Sequence, residues 1–131
     1  MQNSSFRELT VYKKAFAIAM EIFELTKEFP KEERYSLIDQ IRRSSRAVCS
    51  CIAEAYRKRD YSAYFVSKSS DADMKNSETQ TWLDFSLACS YITEDQFKNL
   101  LEKSEEVGKL LNHMIENPEK YLRKKEKQLT E

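Results

Sequence analysis

One glycine and two prolines in 131 residues leave little material for tight turns, since those residues supply the special backbone angles that such turns need. Net charge is also missing: 22 lysines and arginines balance 22 acids. No global field therefore draws the chain to nucleic acid, to a membrane surface or to acidic substrates. A single histidine, His113, and the absence of any Glu-x-x-His pair exclude the usual di-metal site of a helical bundle. The three cysteines, Cys49, Cys51 and Cys89, include no CxxC, and Cys49 and Cys51 project to nearly opposite sides of a helix. Buried reduced thiols are the expectation, and with them a cytoplasmic location. No apolar run approaches the roughly 20 residues of a membrane span, and MQNSSFREL lacks the apolar core of a signal peptide.

What is present is charge and periodicity. With 34% charged and 40% hydrophobic residues, the chain reads as long amphipathic helices with solvated outer faces. The first helix is expected from about Ser5 to Phe29, opened by a Ser5/Glu8 capping box. It carries two apolar seams: Leu9, Tyr12, Phe16, Ala19 and Phe23, and Val11, Ala15, Ile18, Ile22, Leu25 and Phe29. That stripe is wider than one bundle needs, so Val11, Ile18, Ile22 and Leu25 are candidates for an interface between copies of the chain.

Pro30 ends the first helix, and the acids of KEE suit the positive start of the second. Leu37, Ile41, Ser44, Val48, Cys51 and Ala55 form a heptad-like seam whose side chains shrink, allowing close helix approach. Asp60 is the expected cap of a third helix with the seam Tyr64, Ser67, Asp71, Met74, Glu78, Thr81, Phe85, Ala88 and Ile92. Thr93 and Gln96 form a capping box for a fourth helix, lined by Phe97, Leu100, Leu101, Val107, Leu111, Met114 and Ile115. Asn117-Pro118 breaks the chain. The expected architecture is an all-α, antiparallel up-and-down four-helix bundle over residues 1–116, followed by a charged extension over 117–131.

Residues 31–58 hold seven basic and four acidic side chains, whereas 59–92 hold three and five. The basic group Arg42, Arg43, Arg46, Arg57, Lys58 and Arg59 is a candidate phosphate-binding surface for RNA or DNA. The competing reading neutralises those arginines with Asp71, Asp73 and Glu78 of the third helix. Glu54, Asp71 and Glu78 read as ion-paired structural acids, and Cys49, Cys51 and His113 offer no catalytic spacing. Tyr61, Tyr64, Phe65, Trp82 and Phe85 read as core residues rather than base-stacking surfaces. No catalytic, cofactor-binding or metal-ligating residue is expected.

FRELTVYKKA, FPKEERYSL with Gln40, IRRSS followed by IAEA, and SETQTWLDFSLA occur in the order and spacing of a known family. The chain thus resembles the 23S ribosomal RNA intervening-sequence proteins from Phe6 to about Ile115. It departs from their pattern at Ala47, Cys49, Cys51 and Ala55. The resemblance implies a four-helix bundle without catalytic activity, often assembled as a pentameric ring. A similar bundle, the accessory protein of diversity-generating retroelements, works with a reverse transcriptase and nucleic acid. Together with the residues, this suggests a homo-oligomeric scaffold or accessory factor for nucleic acid or a ribonucleoprotein. The alternative is a protein–protein adaptor without nucleic-acid affinity.

Overall fold

Apolar residues at helical spacing, with few breakers, give four helices in the computed structural model, which describes residues 5–123. They are α1 (Thr10–Thr26), α2 (Leu37–Arg57), α3 (Ser62–Ala88) and α4 (Glu94–Glu116). Short 3₁₀ turns precede α1, join α1 to α2 and follow α4. Each helix packs on its chain neighbour, with the largest interface between α2 and α3, and α1 against α4 closes the up-and-down bundle. Lys14–Glu106 at 3.1 Å and Lys103–Glu21 at 2.8 Å lie along that closing seam.

The helix ends follow local chemistry, with two corrections. Ser5 caps only a 3₁₀ turn through the Arg7 amide, and α1 begins at Thr10 without a side-chain cap. Asp60 does not cap α3; Tyr61 occupies that position, and Asp60 instead pairs with Arg123 at 2.7 Å. The capping box of Thr93 and Gln96 does form. At the start of α2, Glu33 of the KEE turn accepts the Leu37 amide at 3.3 Å and the Ser36 hydroxyl at 2.6 Å.

Val11, Ala15, Ile18 and Ile22 of α1 meet Ile41, Val48, Ile52 and Ala55 of α2 and Leu100, Val107, Leu111 and Met114 of α4 in the core. Three residues expected at an oligomer interface, Val11, Ile18 and Ile22, are therefore enclosed within a single chain, and Leu25 packs half-buried against them. The reason is that the inner seam of α1 fills the core. Of the other seam, Ala19 is buried and Leu9 and Tyr12 pack against the core, whereas Phe16, 50% exposed, and the neighbouring Met20, 45% exposed, stand in solvent.

The face expected to be buried on α3 is also corrected. Its inner face is Phe65, Ser69, Ala72, Asn76, Thr79, Leu83 and Ser86, shifted one or two residues from the expected seam. Tyr64, Met74 and Phe85 point outward. Small and polar groups occupy this inner face because α2 and α3 pack closely, and most of them find partners, although the buried Ser69 hydroxyl does not. The Thr79 and Ser44 hydroxyls lie 2.8 Å apart. Asn76 and Ser104 of α4 exchange two bonds of 2.9 Å, and Gln80 donates to the same serine at 2.9 Å.

Packing continues beyond Glu116. Tyr121 stacks on Phe65 with centroids 5.5 Å apart, and Leu122 is buried. Residues 124–131, the remainder of the expected extension, lie outside the described residues. No described helix is long and apolar enough to cross a membrane.

Candidate nucleic-acid interface

The amino-terminal half of α2 presents its arginines next to the end of α1, and the contact begins with Thr26. That buried hydroxyl donates to the Ile22 carbonyl at 2.8 Å, which leaves its oxygen free to accept Arg42 Nε at 2.8 Å. Arg42 also reaches the Phe23 carbonyl at 3.4 Å, where the negative end of α1 favours a cation. Its guanidinium lies 4.7 Å from the Phe23 ring centroid, and Arg46, one turn along, lies 5.7 Å from the same ring. Both side chains are thereby held in a restricted set of positions.

Arg43 projects from the other flank of α2 and is chelated by Asp39 at 3.0 Å, a helical i, i+4 pair. Around these residues opens a cleft of about 740 Å³. Its basic groups are Arg34, Arg42, Arg43, Arg46 and Lys75, against the carboxylates of Asp39 and Glu78. Arg34, which the sequence pattern did not single out, joins the group because the short turn before α2 folds back beside it.

Neutralisation by α3 does not occur as expected. Asp71 pairs with Lys68 at 3.6 Å, Glu78 with Lys75 at 3.3 Å, and Glu54 with Lys68 at 3.2 Å. Among the described residues, none of Arg42, Arg43 and Arg46 forms an ion pair with Asp71, Asp73 or Glu78. Asp71 and Glu78 each have a lysine of α3 three residues away that takes their carboxylate.

The six basic residues proposed from sequence do not form one patch. Arg57 lies about 21 Å along the helix from Arg43, beyond the cleft. Arg59 is withdrawn from the surface: it is buried, its guanidinium sits 3.7 Å from the Tyr56 ring centroid, and it donates to the Tyr56 carbonyl at 2.8 Å. Burial, the main cause, lowers its pKa from the ordinary arginine value. Lys58 and Arg57 remain exposed, and Lys58 stands over two tyrosines, Tyr61 and Tyr64.

Of the three thiols, Cys49 and Cys51 are held in unreactive settings, whereas Cys89 is exposed. Burial raises the Cys49 thiol to about 11, and also raises Cys51, with Glu54 and Asp71 adding to the effect. His113 Nδ1 is engaged by the Tyr121 hydroxyl at 2.7 Å. Among the described residues, no group of three His, Cys, Asp or Glu side chains converges as metal ligands would.

The profile of the 23S rRNA-intervening sequence protein family matches residues 7–113. Among solved structures, the fold is similar to that of a protein of unknown function from the S23 ribosomal protein family of Bacteroides thetaiotaomicron VPI-5482. The two are 30% identical with a TM-score of 0.73, over 81% of this chain and 95% of the other. No curated protein matches significantly. By its helical order, its ordered motifs and this match over most of its length, the chain belongs to the 23S rRNA-intervening sequence protein family.

Proposed function

We propose that this protein is a non-enzymatic, oligomeric scaffold or accessory factor that holds nucleic acid, alone or within a ribonucleoprotein, by its phosphates. The observation that carries this is the open cleft in which five cationic side chains face two carboxylates. With no net charge on the chain, such binding rests on a local patch rather than on a global field. Arg42 and Arg46, stacked against Phe23, lose little freedom on meeting a phosphate. Several copies in one assembly would multiply a modest patch into useful avidity.

The competing reading is an adaptor whose arginines are satisfied by Asp71, Asp73 and Glu78; within one chain Asp71 and Glu78 pair with lysines instead, which favours the phosphate reading.

Titration of labelled oligonucleotides at several salt concentrations tests the proposal. Affinity is expected to fall linearly on a log–log scale, with the slope reduced by about one for each phosphate contact removed. Arg46→Ala is the cleaner variant, since Arg42 also ties α2 to Thr26. Absence of salt-sensitive binding, or unchanged binding in the triple Arg42/Arg43/Arg46→Ala variant, overturns it.

A further inference from the structure

We infer that the nucleic acid held by this protein is single-stranded and follows the outer face of α2 from the arginine cleft to Tyr61 and Tyr64, whose rings stack on its bases. The inference rests on the proposal that the α2 arginines take phosphates, and adds to it the form of the ligand and a second contact surface.

The starting observation is two aromatic rings where solvent reaches them. Tyr61 is 64% and Tyr64 45% exposed, although a tyrosine ring is a large apolar surface that proteins ordinarily cover. The next inner position, Phe65, is fully buried, so the core has its aromatic residue and the two tyrosines are surplus to it. The Lys58 ammonium lies 5.9 Å and 5.3 Å from their ring centroids. A cation beside exposed rings is the combination that grips unpaired nucleotides, with the charge on the backbone and the ring on the base.

The second observation is continuity along one helix. A hollow of about 320 Å³ opens beside Tyr64, lined on α2 by Ala53, Glu54, Arg57 and Lys58. Ser50 lies on the border of the arginine cleft and Ala53 on that of the hollow, one turn or about 4.5 Å apart along the axis. Only small side chains separate the two openings on that line. The whole track from Arg43 to Arg57 is about 21 Å long, room for a few nucleotides of an extended strand. The acidic side chain in the hollow, Glu54, is held by Lys68 at 3.2 Å, and Asp71 shares that lysine at 3.6 Å. Their charge is partly compensated before a phosphate arrives.

A double helix would use the arginines but not the rings. Its base faces are stacked inside, and its recognition runs through phosphates and groove edges. Exposed rings at the end of a basic track therefore select for unpaired bases.

The test is fluorescence anisotropy on the full-length chain with labelled single-stranded RNA, single-stranded DNA and a fully paired hairpin of equal length. The chain is used as wild type, Tyr61→Ala, Tyr64→Ala, Tyr64→Phe and Arg46→Ala, each checked for helicity by circular dichroism. Tighter binding of either single strand than of the hairpin is expected, and the two strand arms show whether the 2′-hydroxyl contributes. Each tyrosine-to-alanine change should weaken single-strand binding about tenfold without altering its salt slope. Tyr64→Phe should retain it, and Arg46→Ala should reduce the slope. Equal or tighter hairpin binding, or unchanged affinity in both alanine variants while Arg46→Ala weakens, overturns this inference and leaves the phosphate cleft standing. Failure of every probe to bind overturns both.

Discussion

Thr26 and Asn76 show how single polar residues decide what surrounds them. Thr26 uses its hydroxyl twice, inward to its own helix and outward to Arg42, and so fixes the arginine that frames the cleft. Asn76 satisfies both the hydroxyl and the carbonyl of Ser104 in the closed interior. Removing it leaves the buried Ser104 hydroxyl without its acceptor, so Asn76→Ala is expected to lower unfolding free energy by about 1–3 kcal/mol in a denaturant titration. The cysteines divide by the same logic of environment. Cys49, raised to about 11 by burial, stays protonated at neutral pH, whereas Cys89 is exposed. Alkylation followed by mass spectrometry should modify Cys89 first and Cys49 last in the native protein, with the difference erased by denaturant.

Among the elements, α3 departs most from expectation. Its outward Tyr64, Met74 and Phe85 are more hydrophobic than its inward Ser69, Asn76 and Ser86, so a search for the greasiest face finds the wrong one. Close approach to α2 selects size over hydrophobicity, and hydrogen bonds to Ser44 of α2 and Ser104 of α4 offset much of the polar penalty. The connection after α3 is tied to the turn before α2 through Tyr91, whose hydroxyl donates to Glu33 at 2.8 Å. Bonds from Ser36, then Tyr91, then the Leu37 amide hold the Glu33 carboxyl below its ordinary value of 4.5. A depressed folded-state pKa means that this contribution is present above 4.5 and is lost as pH falls through the lower folded value. The thermal midpoint of wild type is therefore expected to drop on acidification through that window. Tyr91→Phe should blunt the drop, as scanning calorimetry across acidic pH would show.

At the scale of the whole molecule, zero net charge conceals an uneven surface. The cleft on α2 is basic, while on α3 Asp71 and Glu78 pair with that helix's own lysines. On α1, Phe16 and Met20 stand half in solvent, an apolar ridge that suits association with another copy. Light scattering is expected to find an oligomer at micromolar concentration that the double change Phe16→Ser and Met20→Ser converts to monomer with helicity intact. Substituting Ile18 or Ile22 instead should unfold the chain, because both are core residues. A wild-type monomer would remove the oligomeric part of the proposed function.

The sequence by itself determined the number of helices, most of their ends and the family. Those rest on local chemistry: breakers at Pro30 and Pro118, the Thr93/Gln96 box, and a helical period that recurs every turn. It also pointed to Arg42, Arg43 and Arg46, because basic residues one turn apart share a face wherever the helix is placed. Tertiary structure alone decided which face of α3 turns inward and which apolar residues of α1, Phe16 and Met20, remain outside. It also added Arg34 to the cleft, withdrew Arg59 and left Tyr61 and Tyr64 in solvent. Each of these depends on how closely two helices approach and which groups meet between them, and neither distance is encoded in any one segment.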